Sequence, residues 1–397
     1  MVRAVVPMVT LEDMIVAYFS ARRNKRRSRD SVHFEYCYEK NIVELVAEVN
    51  SRTLRVDSNY AFVVFSPHVR EIFATSMSVR VIHHYLDWRL RPIYERVLSD
   101  RSFNNRKGLG LHRAIATYRN DIREVTENYT RDAWCIHLDL KGYFPNASVE
   151  IALKQQLGLI DKYYDGEDKD DLKYMMSSCL RADPARHCKV YVPKESWNVV
   201  APEKSLFNKT VGTGAAIGFL CWQNAMALYI NDVVKWLQEH GFLRIVVFVD
   251  DIYIVTSDKR KFLDLMPELR KRLADVMVRM NERKFYCQHF SKGLRCLGSR
   301  IRFGRERADR ETVIRAFARM NELKKVRVEP ERLLSVLNTY NGVFRNKDMA
   351  DEYGRFRATA LKMFGRWIVW NGARRCFGLK ERFRFRARMR RWYRGVA

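Results

Sequence analysis

The stretch IVVFVDDIYIV, residues 245–255, sets two adjacent carboxylates, Asp250 and Asp251, inside an otherwise apolar run. Its flanks read as two short strands with the acidic pair at the bend. Two like charges there are costly, because burying an ion without a partner costs several kcal/mol, by rough estimate. Something must compensate them, and the rest of the chain is read for what that is.

The chain has 397 residues, enough for two or three domains, and 47% of them are hydrophobic. Its formal charge is +27. Such an excess speaks to partners rather than to fold, and nucleic acid comes first, because each neutralised phosphate releases a counterion. A membrane surface comes second. No segment reads as membrane-spanning, since the apolar run at 245–255 falls short of about 18 residues and carries carboxylates. The N-terminus has Glu12 and Asp13 in its apolar part and lacks a small-residue cleavage site, so no signal peptide is expected. Thr10 reads instead as a helix cap. The cysteines, 37, 135, 179, 188, 221, 287, 296 and 376, show no zinc-binding pair spacing and fit a reducing, cytoplasmic setting.

Along the chain, RRNKRRSR (22–29) is a basic run on a helix or loop, and 41–50 has helical spacing. YAFVVFSPHVREIFA (60–74) reads as two strands around Ser66-Pro67. A helix follows, whose His83 and His84 read as core or surface residues rather than ligands. Residues 161–176 read as an exposed acidic loop running into a helix, and 181–211 as irregular. GTGAAIGF (212–219) is a glycine-rich loop before a helix. Residues 259–282 read as one long amphipathic helix, KFYCQHFSKGLRCLGSRIRF as a hairpin around Lys292-Gly293, and the remainder as helical from about Pro330. In the tail, RFRFRARMRR puts Arg382, Arg384, Arg386, Arg388 and Arg390 at period two, with Phe383, Phe385 and Met389 between. Guanidinium groups and rings both stack on unpaired bases, so this segment reads as RNA-binding.

A third carboxylate, Asp139, lies at the end of a strand in AWCIHLDLKGYF (133–144). Three carboxylates brought together in this way suit a metal site. Two Mg²⁺ ions about 4 Å apart can activate a 3′-hydroxyl and stabilise a leaving pyrophosphate. Mg²⁺ binds through a few carboxylates plus phosphate oxygens rather than an all-protein cage. A lone Asp-Asp pair is weak evidence. A strand-terminal Asp, then a glycine loop and helix, then Asp-Asp between apolar strands is a much rarer order.

These residues resemble a known family. LDLKGYF, IGFLCWQNAMALYIND, FVDD and FSKGLRCLGSRI look like successive palm motifs of reverse transcriptases. The likeness extends through VREIFATSMSVRVIHHYLDWRLRPIYE, NRKGLGLH and LNTYNGVF, roughly residues 8–370. Within that class, RKGLGLH, ESWNVVAPEKSLF and FYCQHFSKGLRCLG look closest to the reverse transcriptases of bacterial diversity-generating retroelements. Related prokaryotic antiviral reverse transcriptases come next.

The resemblance implies an α+β right-hand polymerase: fingers and a basic N-terminal region over 1–130, palm over 131–301 with an insertion at about 155–211, and a helical thumb with a basic RNA-binding tail over 302–397. It implies RNA-directed DNA synthesis from a structured RNA, using deoxynucleotides and Mg²⁺, with Mn²⁺ as an alternative. Asp139, Asp250 and Asp251 would be catalytic and metal-binding. Arg70 would clamp the triphosphate, Phe144 would exclude a ribose 2′-hydroxyl, and Lys284 would protonate pyrophosphate. Ile217, Gly218 and Gln223 would border the nucleotide, and Cys296, Leu297 and Gly298 would form the primer grip. An aliphatic residue at Ile217 suits the diversity-generating type. Trp222 stands where that type usually has Ser, and its bulk is expected to crowd the template or nucleotide. Retroelement mutagenesis and antiphage defence both fit as settings, with an accessory protein or a second copy as further partners. A catalytically inactive RNA-binding scaffold and a template-independent terminal transferase are the alternatives.

Overall fold

The computed structural model describes residues 9–23, 25–26, 28–56, 59–65, 69–190, 192–326 and 328–383. In chain order it begins with helices α1 (Leu11–Arg22), α2 (Arg29–Tyr36) and α3 (Tyr38–Asn50), then strands β1 (Asn59–Val64) and β2 (Arg70–Thr75), α4 (Met77–Val97), α5 (Leu111–Val125) and β3 (Trp134–Lys141). It continues with α6 (Val149–Tyr163), α7 (Lys169–Arg181), β4 (Cys188–Val190), three short 3₁₀ turns, α8 (Leu220–Tyr229), α9 (Asn231–Glu239), β5 (Ile245–Phe248), β6 (Asp251–Thr256), α10 (Lys259–Asp275), β7 (Arg279–Met280) and β8 (Tyr286–His289). After these come β9 (Leu294–Cys296), β10 (Ser299–Arg302), β11 (Arg305–Ala308), α11 (Arg310–Lys325), α12 (Pro330–Arg345), α13 (Ala350–Phe364), β12 (Ile368–Asn371) and β13 (Cys376–Leu379). The class is α+β, as expected. The chain divides into two compact units, Met1–Ala114 with Ile136–Cys287, and Ile115–Cys135 with Gln288–Ala397.

The first unit is built on a sheet of order β5-β6-β3-β7, with β8 also beside β3. β5 and β6 are antiparallel and pair Ile245 with Ile254 and Phe248 with Asp251. Apolar side chains facing away from the bend make this sheet a core element: Ile245, Val246, Ile252, Ile254, Ile136 and Leu138 are all fully buried. Helices cover it, with Tyr85, Tyr94, Phe219, Trp222, Tyr229 and Phe262 among the largest buried side chains. A second sheet, β2-β1-β4, is separate. β1 and β2 form the hairpin read from 60–74, and Ser66-Pro67 lies outside the described residues. Thr10 caps α1, its hydroxyl accepting from the Asp13 amide at 3.2 Å.

Buried carboxylates hold the less regular parts of this unit. The acidic loop before α7 is shorter than expected, residues 164–168, and is exposed at Asp165 and Glu167 but buried at Tyr164 and Asp168. Asp168 is buried because its carboxylate accepts Arg89 Nε at 2.9 Å, Arg89 Nη2 at 2.7 Å and the hydroxyls of Tyr85 and Tyr164 at 2.8 and 2.6 Å. Burial alone would raise the Asp168 pKa, but these donors outweigh it and hold the group below the ordinary carboxylate range. Glu71 does the same for the irregular 181–211 segment. It is buried on β2 and accepts from Trp197 Nε1 and Ser205 Oγ, each at 2.7 Å, and from the Leu206 amide at 2.8 Å. Glu71→Ala would strand three donors and is expected to cost about 3 kcal/mol in urea unfolding. Glu71→Gln, which keeps an acceptor oxygen, should cost visibly less.

Among the described residues, the second unit holds most of α5, the antiparallel sheet β11-β10-β9, helices α11, α12 and α13, and the hairpin β12-β13. Its core packs Phe344, Phe356, Phe364 and Phe377. Four expectations change. The amphipathic helix after 259 stops at Asp275, because Met277 takes φ 56° and turns the chain into β7. The hairpin turn is Leu297-Gly298, between β9 and β10, and not Lys292-Gly293. The helical C-terminal part starts at Arg310 rather than near Pro330. It is also not wholly helical, since β12 and β13 pair Ile368 with Leu379 through Asn371 with Cys376. Among the described tail residues, Arg382 donates to the Arg366 carbonyl at 3.1 Å and lies over the Phe383 ring. Arg384, Arg386, Arg388 and Arg390 lie outside the described residues.

Candidate active site

The acidic hairpin turns over two residues, Val249 and Asp250, between paired Phe248 and Asp251. Val249 has φ 60°. A β-branched residue in the left-handed region is strained, at about 1–3 kcal/mol, and persists only where surroundings fix it. Here the Val249 amide donates to Asn104 Oδ1 at 3.3 Å. The outer edge of β5 is bound by the 101–103 segment, through Val247 N to Arg101 O at 2.9 Å and Phe103 N to Val247 O at 3.0 Å. On the other side, the Leu140 amide donates to the Asp250 carbonyl at 3.0 Å, which sets the hairpin tip beside Asp139.

Asp139 is buried at the end of β3. Its Oδ2 accepts from Asn281 Nδ2 at 2.7 Å and its Oδ1 from Lys284 Nζ at 2.5 Å, while its carbonyl accepts the Asn281 amide at 2.7 Å. The bond to Asp139 is the main reason the Lys284 pKa is raised. Asp251 Oδ1 is hydrogen-bonded to His137 Nε2 at 2.7 Å. His137 is fixed by stacking on Tyr253, ring centroids 4.6 Å apart, and by its Nδ1 at 3.3 Å from the Lys284 carbonyl. Asp250 is the least compensated of the three acids. Burial first, then the charge of Asp251, push its pKa up to about 6, with Asp139 adding to the rise and Lys284 opposing it. A set of oxygen donors whose mutual repulsion is only partly relieved by protein cations fits hard divalent ions.

The glycine loop is clipped between β2 and the turn after β3. The Ala215 amide donates to Phe144 O at 2.7 Å, Gly214 N to Ala147 O at 2.8 Å, and Phe73 N to Ile217 O at 2.9 Å. Gly218 has φ +124°, and a Cβ there would meet the Phe73 carbonyl oxygen at 2.1 Å. Only glycine fits so close a backbone approach. Phe144 is half-buried at the loop, with the Tyr143 ring edge-on to it at 5.8 Å. Arg70 is the exposed first residue of β2, three positions before the Phe73 that holds the loop. Ile217 and Gln223 are half-buried. Trp222 does not crowd a template surface as expected: it is 1% exposed, inside the core. Its position in the first turn of α8 turns it inward, where the neighbouring Cys221 is also buried.

In the second unit, Cys296 is fully buried at the end of β9. Leu297 at φ 48° and Gly298 at φ 77° form a two-residue turn with both residues left-handed, the hairpin type that matches strand twist.

His137, Asn281, Asn104 and Glu71 were not singled out from the sequence. Two of them carried a signal. His137 lies two residues before Asp139, so strand alternation puts both on one face. Glu71 alternates with Phe73 and Thr75 on the buried face of β2, a carboxylate where the strand pattern calls for an apolar residue. Asn281 and Asn104 had none, because their partners are far along the chain.

The family model described as reverse transcriptase (RNA-dependent DNA polymerase) matches residues 66–301. That is more than half of the chain, which therefore belongs to the reverse transcriptase family, a class of RNA-directed DNA polymerases and so of nucleotidyltransferases. Reverse transcriptase domains in general depend on divalent metal ions. No curated protein matches the chain. Among solved structures, it is similar to apo telomerase from Candida Tropicalis, with 11% identity, 79% of this chain and 58% of that chain covered, and a TM-score of 0.47. It is also similar to apo telomerase from the same organism truncated from the C-terminal domain (13% identity, 64% and 55% covered, TM-score 0.45). A third is that telomerase in complex with a TWJ fragment of telomeric RNA (12% identity, 79% and 54% covered, TM-score 0.43). The chain spans little more than half the length of each of these telomerase chains. Among the described residues, no helix is long and apolar enough to cross a membrane.

Proposed function

We propose that this chain copies a structured RNA into DNA, with Asp139 and Asp250 holding a pair of Mg²⁺ ions and Asp251 supporting them. The observation that carries this reading is the convergence of the β5-β6 hairpin tip on the end of β3, with Asp250 destabilised as a carboxylate. When bound, the ions supply positive charge for the attacking 3′-oxygen and the departing pyrophosphate. The chain's own residues do the rest. Asn281 orients Asp139, and His137 orients Asp251. Lys284, held protonated by its bond to Asp139, is placed to give a proton to pyrophosphate. Arg70 is the proposed triphosphate clamp, its planar fork suited to phosphate oxygens. Phe144, fixed through the glycine loop, is the proposed barrier to a ribose 2′-hydroxyl. Ile217, Gly218 and Gln223 border the nucleotide, and the Cys296-Leu297-Gly298 turn holds the primer end.

In this reading residues 1–130 are fingers, 131–301 palm and 302–397 thumb and tail, and the tail arginines Arg382 to Arg390 bind RNA. The net charge of +27 supports a polyanionic partner. The settings proposed are prokaryotic and cytoplasmic, in retroelement mutagenesis or antiphage defence. Sequencing the nucleic acid that copurifies with the chain separates them. A protein-coding repeat changed at adenines indicates the first, and a repetitive or noncoding cDNA the second.

His137→Phe keeps a ring beside Tyr253 but deletes the bond to Asp251. Groups that orient metal ligands are worth about 10- to 100-fold in metal affinity or activity. The variant is expected to need that much more Mg²⁺ for half-maximal primer extension, with thermal unfolding nearly unchanged. An unaltered Mg²⁺ titration would remove His137 from the site.

A further inference from the structure

Three soft or borderline donors meet in the first unit, on elements other than those that carry the three carboxylates. His83 comes from α4, Cys179 from α7 and Cys221 from α8. All three are buried, at 1, 0 and 2% exposure. One ligand atom from each lies within 4.8 Å of the other two, and His83 Nε2 is 3.4 Å from Cys221 Sγ. Around a tetrahedral ion with metal–sulfur and metal–nitrogen bonds of about 2.3 and 2.0–2.1 Å, that edge would be about 3.5 Å.

We propose that His83, Cys179 and Cys221 form a buried site for one thiophilic d¹⁰ cation, Zn²⁺ or Cu⁺. Thiolate sulfur and imidazole nitrogen select such ions over Mg²⁺. Two thiolates and a neutral imidazole would cancel the charge of Zn²⁺, with a small fourth ligand completing the tetrahedron. Cu⁺ would accept the three donors alone. Sequence separations among 83, 179 and 221 carry no motif, so the site exists only through helix packing. Its effect would be structural. It pins the first turn of α8, which continues from the glycine loop and carries Gln223, to α4 and α7.

The test is metal analysis of the untagged full chain, purified under a thiol-free reductant without chelator. About one equivalent of zinc or copper per chain is expected, which also tells the two ions apart. It should fall below about one-tenth in the Cys179→Ser/Cys221→Ser double variant. Reloading with Co²⁺ should give the near-ultraviolet thiolate band in wild type and not in the double variant. Should that variant fail to fold, wild type alone decides: stripping the metal should lower the Tm, and Zn²⁺ or Cu⁺ should restore it. A folded wild-type chain that takes up neither ion nor Co²⁺ overturns the proposal. So does a double variant that keeps its metal, or metal lost instead from Asp139→Asn and Asp250→Asn, which would place it at the carboxylates. A Cys179–Cys221 disulfide in metal-free protein prepared with reductant present would overturn it as well.

Discussion

Asp250→Asn is expected to abolish Mg²⁺-dependent DNA synthesis and, in the same molecule, to stabilise the metal-free fold. The loss of activity follows from removing a proposed ion ligand and should reach about 10²- to 10³-fold or more, since single-donor losses in charge-stabilised sites are of that scale. The gain in stability follows from the pKa. In the folded chain, burial and Asp251 raise the Asp250 pKa to about 6. In the unfolded chain it ionises near the ordinary value of about 3.9. Between these values the native state binds more protons, so its stability falls as pH rises through that window. Below about pH 3 both states are protonated and the penalty disappears. Above about pH 6 the full cost applies, about 3 kcal/mol for a shift of about two units. Urea unfolding in chelator should therefore show Asp250→Asn more stable than wild type at pH 8 and equal to it at about pH 3. Mg²⁺ should narrow the gap by stabilising wild type alone. A variant less stable than wild type at pH 8 would mean that Asp250 is already compensated by protein groups.

The second large effect concerns the backbone. Gly218→Ala would drive a Cβ to 2.1 Å from the Phe73 carbonyl oxygen, at a φ of +124°. Neither partner is a flexible side chain, so the loop must leave β2 and break the Phe73–Ile217 bond. The strain alone is about 1–3 kcal/mol, and lost docking adds to it, so at least about 3 kcal/mol of destabilisation is expected. Surviving folded protein should show a raised KM for deoxynucleotide, because Phe144 hangs on the same loop. Gly212→Ala is the control. It also has positive φ, but nothing lies within 4 Å of its Cβ position, and it should cost only about 1–2 kcal/mol. Equal behaviour of the two variants would mean that the loop is not held at β2.

The difference between what could and could not be read in advance lies in the range of the interactions. The Asp250-Asp251 hairpin was legible, because alternation and turn position are local. So was Asp139, since a strand-terminal acid shows itself within ten residues. The groups that hold the site were harder to read: strand alternation puts His137 on the face of Asp139, but its bond to Asp251, and those of Asn281 to Asp139 and of the Val249 amide to Asn104, span 114, 142 and 145 residues. The end of α10 was missed because the amphipathic pattern runs on past the left-handed Met277 that breaks it. Lys292-Gly293 drew the hairpin to the wrong place: glycine there ends a 3₁₀ turn, whereas Leu297-Gly298 closes the strand pair. The burial of Asp168 and Trp222 depends on partners from distant helices, which no local composition shows.

Templated synthesis at the three carboxylates is open to a direct test. Purified chain should be given a defined heteropolymeric RNA, an annealed DNA primer, the four deoxynucleotides and Mg²⁺, and the product sequenced. DNA complementary to the RNA is expected, absent without Mg²⁺ and absent in Asp139→Asn and Asp250→Asn. Extension that ignores the template sequence, or complementary DNA made equally well by Asp250→Asn, would contradict templated synthesis at these carboxylates.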